Sequence, residues 1–351
     1  MTSEGSPGLG RRGLLTAALA VPLGTASAAC AAKAEPQTLI DPRLFGAKCD
    51  GIADDSAAVQ EAIDTCLSSD PPPMLVVTGP LRITRTLAIK RPVDKSKGRF
   101  RIVGTGGAAG FVTDRPIALF GAGGRVGRLP ASEFVAFEDV RFEASDADLG
   151  ARVMTGEFLR VEFAGCDFHA IRCVDSPIFA QEWRFYRCVA RYWKGSFFRS
   201  RGGYNVVSHG GKYQHGSGRV FEIADPSGGS GCVGCSFHQD IVEASLGPFL
   251  EASLVQGLSI AGLYSEGNAG PTLRFGSNGP NRGVNVSGCF FAPQDANKRR
   301  GDFFDIEWGR TVAGAASGNT ALGGLHDNAQ VGPGFASSGD HTEGRLFRAA
   351  R

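Results

Sequence analysis

The chain has 351 residues, 42% of them apolar and 21% charged, with 50 Gly and 18 Pro. That length suffices for a large core, and the glycine content argues for a turn-rich fold with few long helices. A net charge of +2 excludes a whole-chain electrostatic signal for nucleic acid or a membrane surface, so any charged partner must be read from the local distribution.

Residues 1–33 read as an address rather than as part of a fold. Arg11-Arg12 precedes an apolar run from Gly13 to Leu23, and small residues lead to Ala26-Ser27-Ala28. This layout is that of an export signal, and the paired arginines resemble the twin-arginine type. The run falls short of the roughly 20 apolar residues of a bilayer span, and no other segment is expected to cross a membrane. The expected location is periplasmic or secreted. Disulfides are allowed there, and Cys49 and Cys66, flanking a predicted helix, are the better-placed pair.

Asp54 or Asp55 can cap a helix, whose apolar face is Val59, Ala62, Ile63, Cys66 and Leu67. Pro71-Pro72-Pro73 ends it. Strands are predicted over 74–78, 81–84, 87–90 and 101–103. The glycines from Gly104 to Gly110 precede strand-like residues, not the helix that a nucleotide cradle needs.

Further on, a short pattern recurs around Cys166, Cys188, Gly211, Cys235, Leu263 and Cys289, at spacings of 22, 23, 24, 28 and 26 residues. A strand-like repeat of this size means stacked coils. The expected fold is all-β, a stack of coils. Its bounds are 38–320, with a C-terminal cap or tail over 321–351. The repeated cysteines read as buried free thiols.

The segment 40–107 carries Phe45-Gly46-Ala47, Asp50-Gly51 and Asp54-Asp55, then Leu75-Val76-Val77, Leu81-Arg82-Ile83, Leu87-Ala88-Ile89 and Ile102-Val103-Gly104-Thr105-Gly106. It resembles the opening of pectate-lyase-superfamily right-handed parallel β-helix proteins, the pectate lyase 3 and rhamnogalacturonase-like group. The resemblance implies a right-handed single-stranded parallel β-helix with an N-terminal capping helix, and a carbohydrate-active role. Tyr264-Ser265-Glu266-Gly267-Asn268 resembles a Tyr-Phe-Glu-x-Asn rung of that superfamily. The coil lacks the Asn-Thr-Asp, Gly-His-Gly and Arg-Ile-Lys rungs of polygalacturonases and the Asp-Pro-His-Asp of alginate epimerases.

Strand side chains alternate in and out. If the Cys position points inward, His169, Arg191, Gln214, His238 and Glu266 form one outward column. Lys212 and Tyr264 fall in a second, and Trp193 and Asp240 in a third. His209 reads as inward. From Arg184 to Arg219 there is no Asp or Glu, but eight Arg or Lys, Arg187 among them, and eight aromatics. A one-sign patch attracts the opposite sign, and Arg forks match carboxylates. In an exported β-helix the expected partner is an acidic, uronate-containing polysaccharide, with Arg187, Arg191, Trp193, Lys212, Gln214 and His169 binding it. Nucleic acid is not expected.

Two chemistries follow. β-Elimination needs a cation on the uronate carboxylate, a base and an acid; Arg191 or Lys212, His238 and Tyr264 are the candidates. Inverting hydrolysis needs two separated carboxyls, for which Asp240 and Glu266 are the pair. Elimination is preferred because of the acid-free window. A non-catalytic binding or assembly protein remains the third reading. No metal ligand cluster is evident, with calcium kept open as a cofactor, and the chain is expected to be a monomer or a trimer.

Overall fold

Each coil contributes three short strands, and each strand pairs in parallel with its equivalent one coil earlier and one coil later. In this computed structural model the described residues are 39–90, 99–122, 125–126, 129–130, 132–156, 158–224, 231–277, 279–293, 304–322, 324–327 and 331–342. The expected export signal at 1–33 lies outside them.

The first face holds Phe158–Ala164, Trp183–Tyr186, Val207–His209, Cys232–His238, Gln256–Ala261 and Asn281–Ser287. The second face, an eleven-stranded ladder, includes Asp167–His169, Val189–Arg191, Lys212–Gln214, Ile241–Glu243 and Tyr264–Asn268. The third carries Phe198–Tyr204, Phe221–Ile223, Leu250–Ala252, Leu273–Phe275, Phe304–Glu307 and Gly324–Asp327. The chain is thus a parallel β-helix, and its ladders run on past residue 320 to His341–Thr342.

The corner between first and second faces has a fixed chemistry. One residue adopts positive φ, which glycine takes without a Cβ penalty. The next turns inward. The positive-φ residues are Gly165, Arg187, Gly210, Gln239, Gly262 and Gly288. The inward ones are Cys166, Cys188, Gly211, Asp240, Leu263 and Cys289, as the strand registers on either side require. Cys235 is therefore not in the predicted column. Gly234-Cys235 sits at a different bend, within the leading part of the first-face strand Cys232–His238, where Gly234 also has positive φ and Cys235 pairs with Leu258. Two corners of one coil carry the same Gly-then-buried-residue signature, and the sequence pattern slid from one to the other.

Inside, identical register stacks rings on rings. Phe137, Phe163 and Phe185 stack with centroids 5.0 and 5.4 Å apart and nearly parallel planes. Phe142 and Phe168 form a parallel stack across the lumen at 5.1 Å. This separation is close to one strand spacing, ~4.8 Å, so the ladder itself sets the ring contact.

The helix Ser56–Ser68 buries Val59, Ala62, Ile63 and Cys66 against the first coil and covers that end of the barrel-like core. Asp54 accepts from the Ser56 and Thr84 hydroxyls, while Asp55 accepts from Lys48 N. The acidic pair thus shapes the loop and helix start, as predicted. Cys49 and Cys66 are free thiols, not a bridge; Cys66 is turned into the core under the helix, and Cys49 lies in the loop against Gly79.

Phe163 touches rings on both neighbouring coils and across the lumen. Phe163→Ala should cost about 3–5 kcal/mol, read as a lowered denaturant midpoint in equilibrium unfolding.

Candidate functional site

The second face collects six of the side chains singled out from sequence. His169, Arg191, Gln214 and Glu266 share one outward column, joined by Glu143 and Glu243. Lys212 and Tyr264 stand in the adjacent column with Ile241 between them. Glu243, missed because of the slip at Cys235, occupies the place expected for His238. It accepts from Gln214 and pairs with Lys212 at 3.3 Å. Arg191 donates to Gln214 (3.3 Å) and pairs with Asp167 (3.4 Å). The Tyr264 hydroxyl donates to Glu266 at 2.9 Å, and this bond raises its pKa above the usual tyrosine value.

Four candidates lie elsewhere. His238 is on the first face, its Nε2 3.1 Å from Ser259 Oγ, in a column with Tyr186 and His209. His209 faces water there rather than inward. Arg187 is exposed at the corner between the first two faces. Trp193 is buried, 1% exposed, and donates to Arg219 O. Strand alternation does not reach it, because Tyr192 takes positive φ at the corner and redirects the chain.

Asp240 is also 1% exposed. It falls in the inward corner column, not on an outward strand position. One carboxylate oxygen accepts from Ser208 Oγ (2.8 Å) and Gly211 N (2.7 Å), and the other has no hydrogen-bond partner. Burial pushes its pKa up to about 7, against the pull of the Gly211 and Ser208 bonds. A carboxyl sealed this way cannot meet a polymer.

The third face carries a charged outward column that the sequence reading passed over: Asp175, Arg199, Glu222, Glu251, Arg274, Glu307 and Asp327, register partners rung by rung. Arg219 reaches Glu251 at 2.6 Å. Arg274 spans from Glu251 (3.4 Å) to Glu307 (2.6 Å). The signal was present as apolar-charged-apolar triplets, Phe221-Glu222-Ile223, Leu250-Glu251-Ala252 and Leu273-Arg274-Phe275.

At the C-terminal end of this column opens a cleft of about 390 Å³, lined by Arg274, Phe275, Gly276, Ser277, Glu307, Gly309 and Asp327. Glu307 and Asp327 occupy neighbouring rungs, one strand spacing (~4.8 Å) apart at the backbone. Beneath them the inward side chains are Ile306 and His326. Trp308 Nε1 donates to His326 Nδ1 at 3.2 Å, so the other ring nitrogen carries the proton that meets Asp340 at 3.0 Å. Burial lowers the His326 pKa, which suits this neutral form. These bonds pin the strand that bears Asp327.

Among the described residues no group of three or more His, Cys, Asp or Glu is placed to hold a metal ion, and no helix is long and apolar enough to cross a membrane.

No protein-family model matches the chain, and no curated protein matches it. Solved structures do. The tailspike protein of Acinetobacter baumannii phage AM24 superposes with a TM-score of 0.60 at 15% identity, over 90% of this chain and 55% of its own. The A-module of the Azotobacter vinelandii mannuronan C-5 epimerase AlgE6 gives 0.54 at 12%, over 89% of this chain and 100% of the module. ORF18 of Geobacillus virus E2 gives 0.51 at 14%, over 88% of this chain and 60% of that one. The chain thus spans little more than half of the two viral proteins. At such identities the likeness shows the fold, a parallel β-helix, and nothing finer.

The Asp240 carboxyl is tested by pH. In the folded chain it keeps its proton to about pH 7, while unfolded it releases it near pH 3.8. Stability is therefore lost as pH rises through this interval. Asn319 fills the same column and donates to Val286 O, so asparagine fits there. Asp240→Asn should raise stability at pH 8, by roughly 4 kcal/mol at most, and the gain should shrink by more than half at pH 5 in urea unfolding.

Proposed function

We propose that this chain is an exported, glycan-acting β-helix protein that hydrolyses a glycosidic bond in the third-face cleft. The observation that carries this reading is the pair Glu307 and Asp327, on adjacent rungs of one open cleft beside Arg274. Carboxyl groups about 5–5.5 Å apart serve retaining glycosidases, and wider ones serve inverting enzymes. One rung of separation fits the first class.

Arg274 donates to Glu307, orienting it and offsetting its charge as a nucleophile. Glu307 attacks the anomeric carbon while Asp327 gives its proton to the leaving oxygen. Asp327 then takes a proton from water, and the resulting hydroxide releases the sugar from Glu307. The long outward column of Arg and Glu upstream supplies hydrogen bonds for an extended chain rather than for a small molecule. The mannuronan epimerase on the same fold supports a polysaccharide as the substrate class. The arginine pair near the N-terminus supports export.

The pair Asp240 and Glu266 does not serve, because Asp240 is buried. β-Elimination is the second reading. It keeps Tyr264, whose hydroxyl faces water on Glu266, but its expected base, His238, stands on another face. Its expected cations, Arg191 and Lys212, are paired with Asp167 and Glu243.

Incubation with alginate, pectate and neutral glucans separates the two. New reducing ends without ultraviolet-absorbing unsaturated ends are expected, and Glu307→Gln and Asp327→Asn should each slow their release by ~100-fold or more. Unsaturated products that persist in both variants would move the chemistry to the second face.

A further inference from the structure

The acid-free window from Arg184 to Arg219 resolves into two sets once the coils are stacked. Arg191, Lys194, Arg199, Lys212 and Arg219 pair with acids one or two coils away: Asp167, Asp148, Asp175 and Glu222, Glu243, and Glu251. Arg184, Arg187 and Arg201 make no ion pair among the described residues. The acids closest to Arg184 in the ladder are already taken. Glu162, its register partner, is held by Arg99 at 2.6 Å, and Glu182 by Arg160 at 2.8 Å.

Two of these cations flank a column of rings. Tyr186, His209 and His238 are register partners on three successive first-face strands, so their backbone positions follow one another at ~4.8 Å. Arg184 precedes Tyr186 on the same outward side, and Arg187 follows it at the corner. Tyr204, 47% exposed, closes the leading edge of the face. At the Arg187 position neighbouring coils use Gly165 and Gly210. Arginine takes this left-handed conformation at a steric cost that glycine avoids, and Gln239 holds the same position two coils further on.

We propose that the strip Arg184–Tyr186–Arg187–His209–His238 binds a uronate-bearing glycan chain, at a site separate from the third-face cleft. Two guanidinium forks match sugar carboxylates in two-point fashion. The three side chains of this column offer one phenol and two imidazoles to bond hydroxyls. The surplus positive charge, unmatched within the protein, selects an acidic polymer over a neutral one. The site anchors a polyanion independently of what the cleft cleaves.

Affinity electrophoresis of the full chain in gels cast with polygalacturonate, alginate or a neutral glucan tests this. The wild type should be retarded by the polyuronates, less so at high salt, and not by the glucan. Arg184→Ala with Arg187→Gly should weaken retardation about tenfold per arginine. Arg187→Gly places at the corner the residue its neighbours use, and Arg184→Gln with Arg187→Gln is the second pair should the first fail to fold. Retardation and reducing-end release are read separately: loss of the first in the arginine variants reports this strip, and loss of the second in Glu307→Gln reports the cleft. Wild type that runs free in polyuronate, variants that are retarded equally, equal retardation by the glucan, or displacement by duplex DNA as effective as by polyuronate would each overturn the proposal.

Discussion

In-register parallel pairing is the constraint on which the rest of this protein depends. Each backbone hydrogen bond between coils ties a residue to one partner above and one below, so a position in the chain becomes a column on the cylinder. A shift of one residue would turn every side chain of a strand to the opposite side. The phenylalanine stacks, the left-handed corners and the outward charge rows all follow from that tie. So does the burial of Asp240: its column holds Cys166, Cys188 and Leu263, and an acid placed there must lose water with them. The cost is visible as a carboxyl held protonated to about pH 7.

The same constraint decides where charge is spent and where it is left over. On the third face Arg219 and Arg274 bridge carboxylates above and below, so that part of the column is firmly oriented while carboxylates outnumber arginines along it. Exposed pairs of this kind add little stability, but they fix the direction of Glu251 and Glu307. On the first face, Glu162 and Glu182 are engaged by Arg99 and Arg160, and Arg184 is left without an acid. A chain with net charge of +2 thereby presents a cleft with two carboxylates and one arginine on one face and a cationic strip on another.

Parts of this were legible in the residues. The helix over Val59 to Cys66, the strands that follow it and the coil period all appear where the apolar spacing put them. The second-face set, His169, Arg191, Lys212, Gln214, Tyr264 and Glu266, does share one surface. The slip came at Gly234-Cys235, because a left-handed residue followed by a buried one is required at more than one corner of each coil. One misassigned corner moved His238 into the place of Glu243 and Asp240 out of the core. Trp193 failed for a related reason: alternation holds along a strand and ends where Tyr192 takes positive φ.

What the sequence by itself determined is the repeat, and with it the stacked-coil architecture, since apolar alternation, glycine at the corners and a period near one coil are local properties of the chain. Only the tertiary structure decided which charges meet. Arg191 and Asp167 are 24 residues apart, and Arg274 and Glu307 are 33 apart. Loop lengths between strands vary from coil to coil, so no fixed spacing encodes these contacts. Whether a cation is spent on a neighbour or left for a ligand is a property of the stacked rungs, because pairing energy depends on distance through space and not along the chain.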